Sequence, residues 1–388
     1  MKRKLGLLLL VLVLICVLIW LVRRGDEPGA FALQWRVPSS GEAFSAALQQ
    51  TTGSPMRPGH KVTLLENGRI FDGLVEAIHG ARQSIDIEMY IWTKGNASQR
   101  ILAAIEKRPP GAKCRVLLDA LGSVSRGDEV DQGLRAARCE FALFRPDKAP
   151  FARNHRKVAV IDGRIGFTGG FGIDDRWLGE AEDEDHWRDT SVRVEGPAVS
   201  DMQEAFAEDW QESGGGPLPP EDFPEQPQAG PLRAAFVRSF ANPVVTRAER
   251  LTQLFIAAAH QRLWIENAYF VPGKPVLELL ARRASEGVDV RLIVPGRKSD
   301  SIISFLWQQR EYGALQKSGV RVWEFQPTML HSKTAVVDDS LVLIGSVNLD
   351  PLSLDKLEDA SLVVEDPKLA GQMRAAFERD QGRSKEQK

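Results

Sequence analysis

The sequence predicts an α/β protein made of two similar α/β domains packed around one shared site, preceded by an N-terminal transmembrane helix. Three observations carry that expectation: an uncharged apolar run near the amino terminus, a body that reads twice, and short apolar runs alternating with stretches of helical period. At 388 residues the chain has room for two domains, each with its own core. Apolar, charged and aromatic fractions sit near globular averages, against both disorder and a polytopic membrane protein. The formal net charge of -2 removes the main electrostatic reason to expect a nucleic-acid binder.

Residues 5–22 carry no charge and are flanked by Lys2, Arg3 and Lys4 on one side and Arg23 and Arg24 on the other. As a helix such a run is ~27 Å long, close to the thickness of a bilayer core. A cleaved signal would end in small residues, whereas this run ends Ile19-Trp20-Leu21-Val22, so residues 1–25 are read as a retained anchor. Cys16 follows Leu14-Ile15, which does not suit a lipoprotein site. The three leading basic residues favour the amino terminus inside and the body on the outer face of the inner membrane. Residues 26–59 then read as a juxtamembrane lead-in. Cys114 and Cys139 each begin an apolar run of one strand-helix-strand unit. They are read as buried thiols that neighbouring parallel strands could also bring together in an oxidising compartment.

The repeat sets the domain boundaries. Ile85-Asp-Ile-Glu88 matches Leu263-Trp-Ile-Glu266, Cys114-Arg-Val-Leu-Leu matches Val290-Arg-Leu-Ile-Val, and Glu140-Phe-Ala-Leu-Phe matches Arg321-Val-Trp-Glu-Phe. Glu88 and Glu266 are 178 positions apart, Arg115 and Arg291 176, Pro146 and Pro327 181, and His155 and His331 176, a register that chance would not keep. Within each copy, Val/Ile/Leu-rich runs alternate with helical stretches such as residues 276–286, as in domains around a buried sheet. The first domain is placed at 60–212 and the second at 232–388, with the Gly- and Pro-rich residues 213–231 as linker.

The chemistry concentrates where the copies agree best. In His155-Arg-Lys157-Val-Ala-Val-Ile-Asp162-Gly163, strand alternation puts His155 and Lys157 on one face, and Asp162-Gly163 signals a hairpin. His331-Ser-Lys333 with Asp338 repeats the design and runs on to Gly345-Ser346-Val-Asn348. One His-x-Lys could be incidental. Two at equivalent points, in a chain with six histidines, are read as functional.

These residues resemble the phospholipase D superfamily, whose repeated motif is His-x-Lys, four residues, Asp, then Gly-Ser-x-Asn. The likeness spans residues 61–366; the second copy matches fully, while Gly170 and Gly172 replace the usual Ser and Asn in the first. That Gly-Gly form resembles bacterial cardiolipin synthases, as do the stretches 87–92, 187–197 and 348–354. The resemblance implies phosphodiester exchange without metal or cofactor: one histidine, with His155 the first choice, forms a phosphohistidine and the other protonates the leaving alcohol. Lys157 and Lys333, with Gly170, Ser346 and Asn348, would hold the phosphate.

Asp162 and Asp338 belong to the motif's catalytic set, although their place at the far end of the strand suits a structural part. The resemblance makes Asp189 and Glu358 the carboxylates that orient the histidines. Glu88 and Glu266, in apolar strands at equivalent positions, are expected as buried acids behind the site. His186 lies in an acidic loop, and His60, His79 and His260 have no repeat logic. No cluster has metal-ligand spacing, so no metal is expected.

The implied substrate is a membrane phospholipid such as phosphatidylglycerol, with transfer to an alcohol giving cardiolipin. A hydrolase releasing phosphatidic acid is the first alternative, and a superfamily nuclease the second, disfavoured by near-neutral charge and the anchor. A catalytically dead lipid-binding module conflicts with intact His and Lys in both copies. The sequence leaves the oligomeric state open.

Overall fold

A computed structural model describes residues 31–145, 153–242 and 244–388. The anchor read over residues 5–22 and the repeat position Pro146 lie outside them. Among the described residues no helix is long and apolar enough to cross a membrane.

Fifteen strands form one sheet: β1 (Arg57–Glu66), β2 (Ser84–Met89), β3 (Lys113–Asp119), β4 (Glu140–Phe144), β5 (Lys157–Ile161), β6 (Ile165–Gly169), β7 (Thr190–Glu195), β8 (Leu232–Ser239), β9 (Arg262–Asn267), β10 (Asp289–Pro295), β11 (Arg321–Phe325), β12 (Lys333–Val337), β13 (Leu341–Gly345), β14 (Asp359–Glu365) and β15 (Ser384–Glu386). Their order is β15-β11-β10-β9-β12-β13-β14-β8-β1-β7-β6-β5-β2-β3-β4. Apart from the short β15, this is one seven-strand pattern and its mirror image, joined where β8 meets β1. The duplication read in the sequence is thus a two-fold arrangement in space.

In each half the parallel trio (β2, β3 and β4; β9, β10 and β11) is joined by crossover helices, Asn96–Glu106 and Gly127–Ala136 in the first, Lys274–Ser285 and Ile302–Lys317 in the second. β2 and β5 are buried along their whole length, which is why they read as unbroken apolar runs. The turn Asp162-Gly163 between β5 and β6 has positive φ at both residues (56° and 61°), the backbone form that tight hairpins need. On the opposite face, helices Ala198–Glu212 and Pro367–Gly382 close a core in which Met202 and Met373 meet Val160, Phe236 and Val342.

Three outcomes differ from the sequence reading or settle what it left open. The lead-in is no spacer: Gly41–Thr52 is a helix whose Phe44 and Leu48, four residues apart, are fully buried in the second half's core. Phe44 meets Phe255 edge-on at 6.1 Å between ring centroids. The linker is docked on the first half, where Arg115 pairs with buried Asp222 at 2.5 Å. Cys114 and Cys139 form a disulfide rather than remaining thiols, because β3 and β4 are parallel neighbours starting side by side.

Candidate active site

Each histidine motif enters its strand beside the strand start of the opposite half. The His155 amide donates to the Glu358 carbonyl at 2.7 Å, and the His331 amide to the Arg188 carbonyl at 2.7 Å. Short parallel bridges, Asn154 with Glu358 and Leu330 with Arg188, complete the stitching. The side chains cross in the same way. His155 Nδ1 lies 2.8 Å from Asp359 Oδ1 of the second half, and His331 Nδ1 lies 2.9 Å from Asp189 Oδ2 of the first. Neither half can orient its own histidine.

With Nδ1–H donated to a carboxylate, each Nε2 keeps its lone pair. Burial is the largest force on both rings: it pulls His155 down to about 4, helped by Lys157, and His331 down to about 3, helped by Lys333. Both are therefore neutral near pH 7. Lys333 also lowers His155 and Lys157 lowers His331, so the two motifs share one electrostatic site. Desolvation brings Lys333 down to about 8 and pushes Lys157 well below the ordinary lysine value. Lys157 Nζ donates to the His155 carbonyl at 2.7 Å, and Lys333 Nζ to the His331 carbonyl at 2.5 Å. Asp189 and Asp359 resist the upward push of burial because histidine and lysine hold them ionised. Tyr90 packs edge-on against His155 at 4.7 Å and Tyr269 against His331 at 6.2 Å. Two imidazole Nε2 atoms and two lysine side chains thus face one shared site, the residue types that a phosphodiester exchange uses.

A family model described as "Cardiolipin synthase, PLD-like domain" matches twice, over residues 74–210 and 253–381. The chain belongs to this cardiolipin synthase family of phospholipase D-like proteins. Cardiolipin synthase A of Pseudomonas putida is 33% identical over 355 residues, 87% of this chain and 72% of that protein. Cardiolipin synthase A of Pseudomonas aeruginosa is 32% identical over 372 residues, covering 90% and 75%. In fold the chain is similar to phosphatidylserine synthase of Haemophilus influenzae, with a TM-score of 0.64 at 14% identity over 89% of this chain and 92% of that one. Polyphosphate kinase of Porphyromonas gingivalis gives a TM-score of 0.55 at 16% identity, over 82% and 46%.

Within this phospholipase D-like site the two halves solve one problem differently. The Ser346 hydroxyl, expected on the phosphate, instead donates to Asp359 Oδ1 at 2.6 Å. Gly170 stands at the equivalent point, and a Cβ there would collide with the Asp189 carboxylate. The second side-chain donor on Asp189 is the Trp177 indole, whose Nε1–H reaches Oδ2 at 2.7 Å. The same ring fills the space beside Gly172, where a Cβ would lie 2.9 Å from Trp177 Cζ3. Trp177 and Trp187 then wall His331, at 5.1 and 5.2 Å between centroids. Asn348 is buried with its Oδ1 unpaired.

Several expected residues are placed elsewhere. Glu358 does not orient a histidine; it points away from the site to Arg145 at 3.0 Å and Arg156 at 3.3 Å. Neighbours in a strand face opposite sides, so Asp359 takes the position on His155. Asp162 receives the backbone amides of Arg82, Gln83 and Ser84, and Asp338 those of His260, Gln261 and Arg262, so both tie the lead-in of a parallel strand to a hairpin and neither reaches the histidines. Glu88 and Glu266 are buried behind the motifs, Glu88 with Asn154, Asp209 and Arg156, Glu266 among Arg188, Asp380 and Ser332. Burial raises both, Glu266 to about 8.

Asp359, Trp177, Tyr90 and Tyr269 are absent from the sequence-derived set. Asp359 had a signal: Asp189-Thr-Ser-Val-Arg-Val-Glu-Gly-Pro197 aligns with Asp359-Ala-Ser-Leu-Val-Val-Glu-Asp-Pro367, which pairs Asp189 with Asp359 and Arg188 with Glu358. Trp177 had none, since its partner glycines show only what is missing.

Proposed function

We propose that this phospholipase D-type phosphatidyltransferase makes cardiolipin, or a closely related phospholipid, from phosphatidylglycerol through a phosphohistidine. The crossed pair of His–Asp contacts carries the reading. One neutral Nε2 attacks the phosphorus of a phosphatidylglycerol and forms the N–P bond. The other histidine, taking up a proton on Nε2 as the anionic phosphodiester binds, delivers it to the departing glycerol oxygen, then takes one from the hydroxyl of a second phosphatidylglycerol, whose oxygen displaces the histidine. Lys157, Lys333 and the Asn348 amide bear the phosphoryl charge. Asp189 and Asp359 hold the rings, and stabilise each imidazolium as it forms.

Residues 5–22 would anchor the body beside its insoluble substrate. The Cys114–Cys139 disulfide supports a body on the oxidising, outer side of the inner membrane.

The test supplies full-length protein in liposomes with phosphatidylglycerol labelled in the acyl chain and separates the products. Cardiolipin with released glycerol is expected, and both His155→Ala and His331→Ala should reduce turnover below a thousandth of the parent. Phosphatidic acid alone would make the enzyme a hydrolase, and cleavage of single-stranded DNA without lipid turnover would overturn both.

A further inference from the structure

Large apolar side chains exposed to water are few among the described residues, and they are not scattered. Of eight, six lie at the end of the sheet that carries the histidines: Leu121, Val124, Val244, Ile302, Ile303 and Leu306, exposed by 43% to 83%. Each lies in a segment that contacts a residue of the site or its immediate neighbour. Leu121 and Val124 sit in the loop after β3, whose Asp119 accepts the Asn154 amide and whose Ser123 binds the Tyr90 carbonyl. Val244 lies in the loop after β8, whose Ser239 registers against Asp359. Ile302, Ile303 and Leu306 form the first turn of helix Ile302–Lys317, just past Asp300, which accepts the Tyr269 hydroxyl. That helix buries Phe305, Gln308, Tyr312 and Leu315 on its inner face, so this outer apolar stripe is no part of the core. Single exposed hydrophobic residues need no explanation, but three loops presenting them around one mouth do.

The chain's amino-terminal end leads to the same place. Val37 donates to the Ala257 carbonyl at the end of helix Arg247–Ala257, Leu33 and Phe31 are held by Gln253, and the Phe31 ring lies under Arg250. Followed backwards from Val37 to Phe31, the segment climbs that helix towards its start, three residues beyond Val244. Eight residues separate Phe31 from the uncharged run ending at Val22, a reach of at most ~30 Å. A bilayer holding that run therefore lies within about 30 Å of Phe31, on a segment that runs towards this rim.

We propose that the rim of three loops docks on the bilayer, seating Leu121, Val124, Val244, Ile302, Ile303 and Leu306 at the acyl-headgroup boundary and closing the site mouth onto the lipid surface. This rests on the reading of residues 5–22 as an anchor and of a membrane lipid as substrate. Arg297, before Ile302, falls at headgroup level, with Arg126 and Lys298 beside the rim in ion pairs with Asp131 and Glu184. A lipid phosphate then needs to rise only from the headgroup layer to reach the histidines.

The test uses the full chain carrying Cys16→Ser, so that a thiol-reactive fluorophore marks one introduced cysteine. Val124→Cys and Ile303→Cys report the rim; Trp35→Cys, exposed beside the opposite end of the strands, is the control. In vesicles of phosphatidylcholine and phosphatidylglycerol containing nitroxide lipids, both rim labels should be quenched at least threefold more than the control. Equal quenching at all three positions, or rim labels shielded from water yet unquenched by lipid, overturns the docking; the second result would mean that the chain's own apolar run or a second copy covers the rim. Turnover measured in the same vesicles separates the two readings: quenched rim labels without lipid turnover remove the proposed substrate and leave the docking standing.

Discussion

Trp177 occupies the volume that Gly172 opens, and its indole N–H supplies Asp189 with the donor that the Ser346 hydroxyl supplies to Asp359. A hydrogen bond to an ionised carboxylate contributes about 1.5–3 kcal/mol. Trp177→Phe keeps the ring and removes the donor, so kcat should fall about tenfold or more, as in Ser346→Ala, with little change in KM. Unchanged kcat in steady-state assays would show that the second side-chain donor on Asp189 is dispensable. At this scale the sequence was legible where one residue type serves both copies: His155, Lys157, His331, Lys333 and Asp189 all fall in the site. It misled at Glu358, where two adjacent acids compete and only the repeat register, not composition, selects Asp359. It was silent on Trp177, because a compensating residue sits where no motif marks it.

At the scale of elements, the motif aspartates are joints. Asp338 sits at φ 51° and accepts three backbone amides, at 2.8 to 3.1 Å, from the segment entering β9; Asp162 does the same for β2 at φ 56°. Asp338→Ala should therefore lower stability by roughly 3 kcal/mol, read as the urea midpoint, through the lost acceptors and a left-handed alanine. The folded enzyme should keep kcat within about twofold. A hundredfold loss in fully folded protein would return Asp338 to the chemistry. Strands and hairpins were legible because their apolar runs are buried on both faces and their turns carry Asp-Gly. The helix Gly41–Thr52 was not, since its buried apolar residues are only Phe44 and Leu48 and the partner lies some two hundred residues away in sequence.

For the whole molecule, the duplication explains why the site exists at all: two-fold-related halves meet at β1 and β8, and each lends the other an aspartate. The repeat was readable from spacing alone, whereas the crossing was not, because nothing along the chain says which half supplies which partner. The disulfide ties β3 to β4 where they start, at the end of the sheet away from the rim, by closing a 25-residue span. Its loss should cost about 3 kcal/mol, seen as an earlier urea transition under reducing conditions, and an unchanged transition would contradict that. The crossing is tested most directly by comparing kcat of Asp359→Asn with Glu358→Gln at equal folded concentration. Asp359→Asn should lose about a thousandfold or more, in line with removal of a histidine-orienting carboxylate elsewhere, and Glu358→Gln less than tenfold. The account is contradicted if Asp359→Asn retains near-full activity while Glu358→Gln is dead.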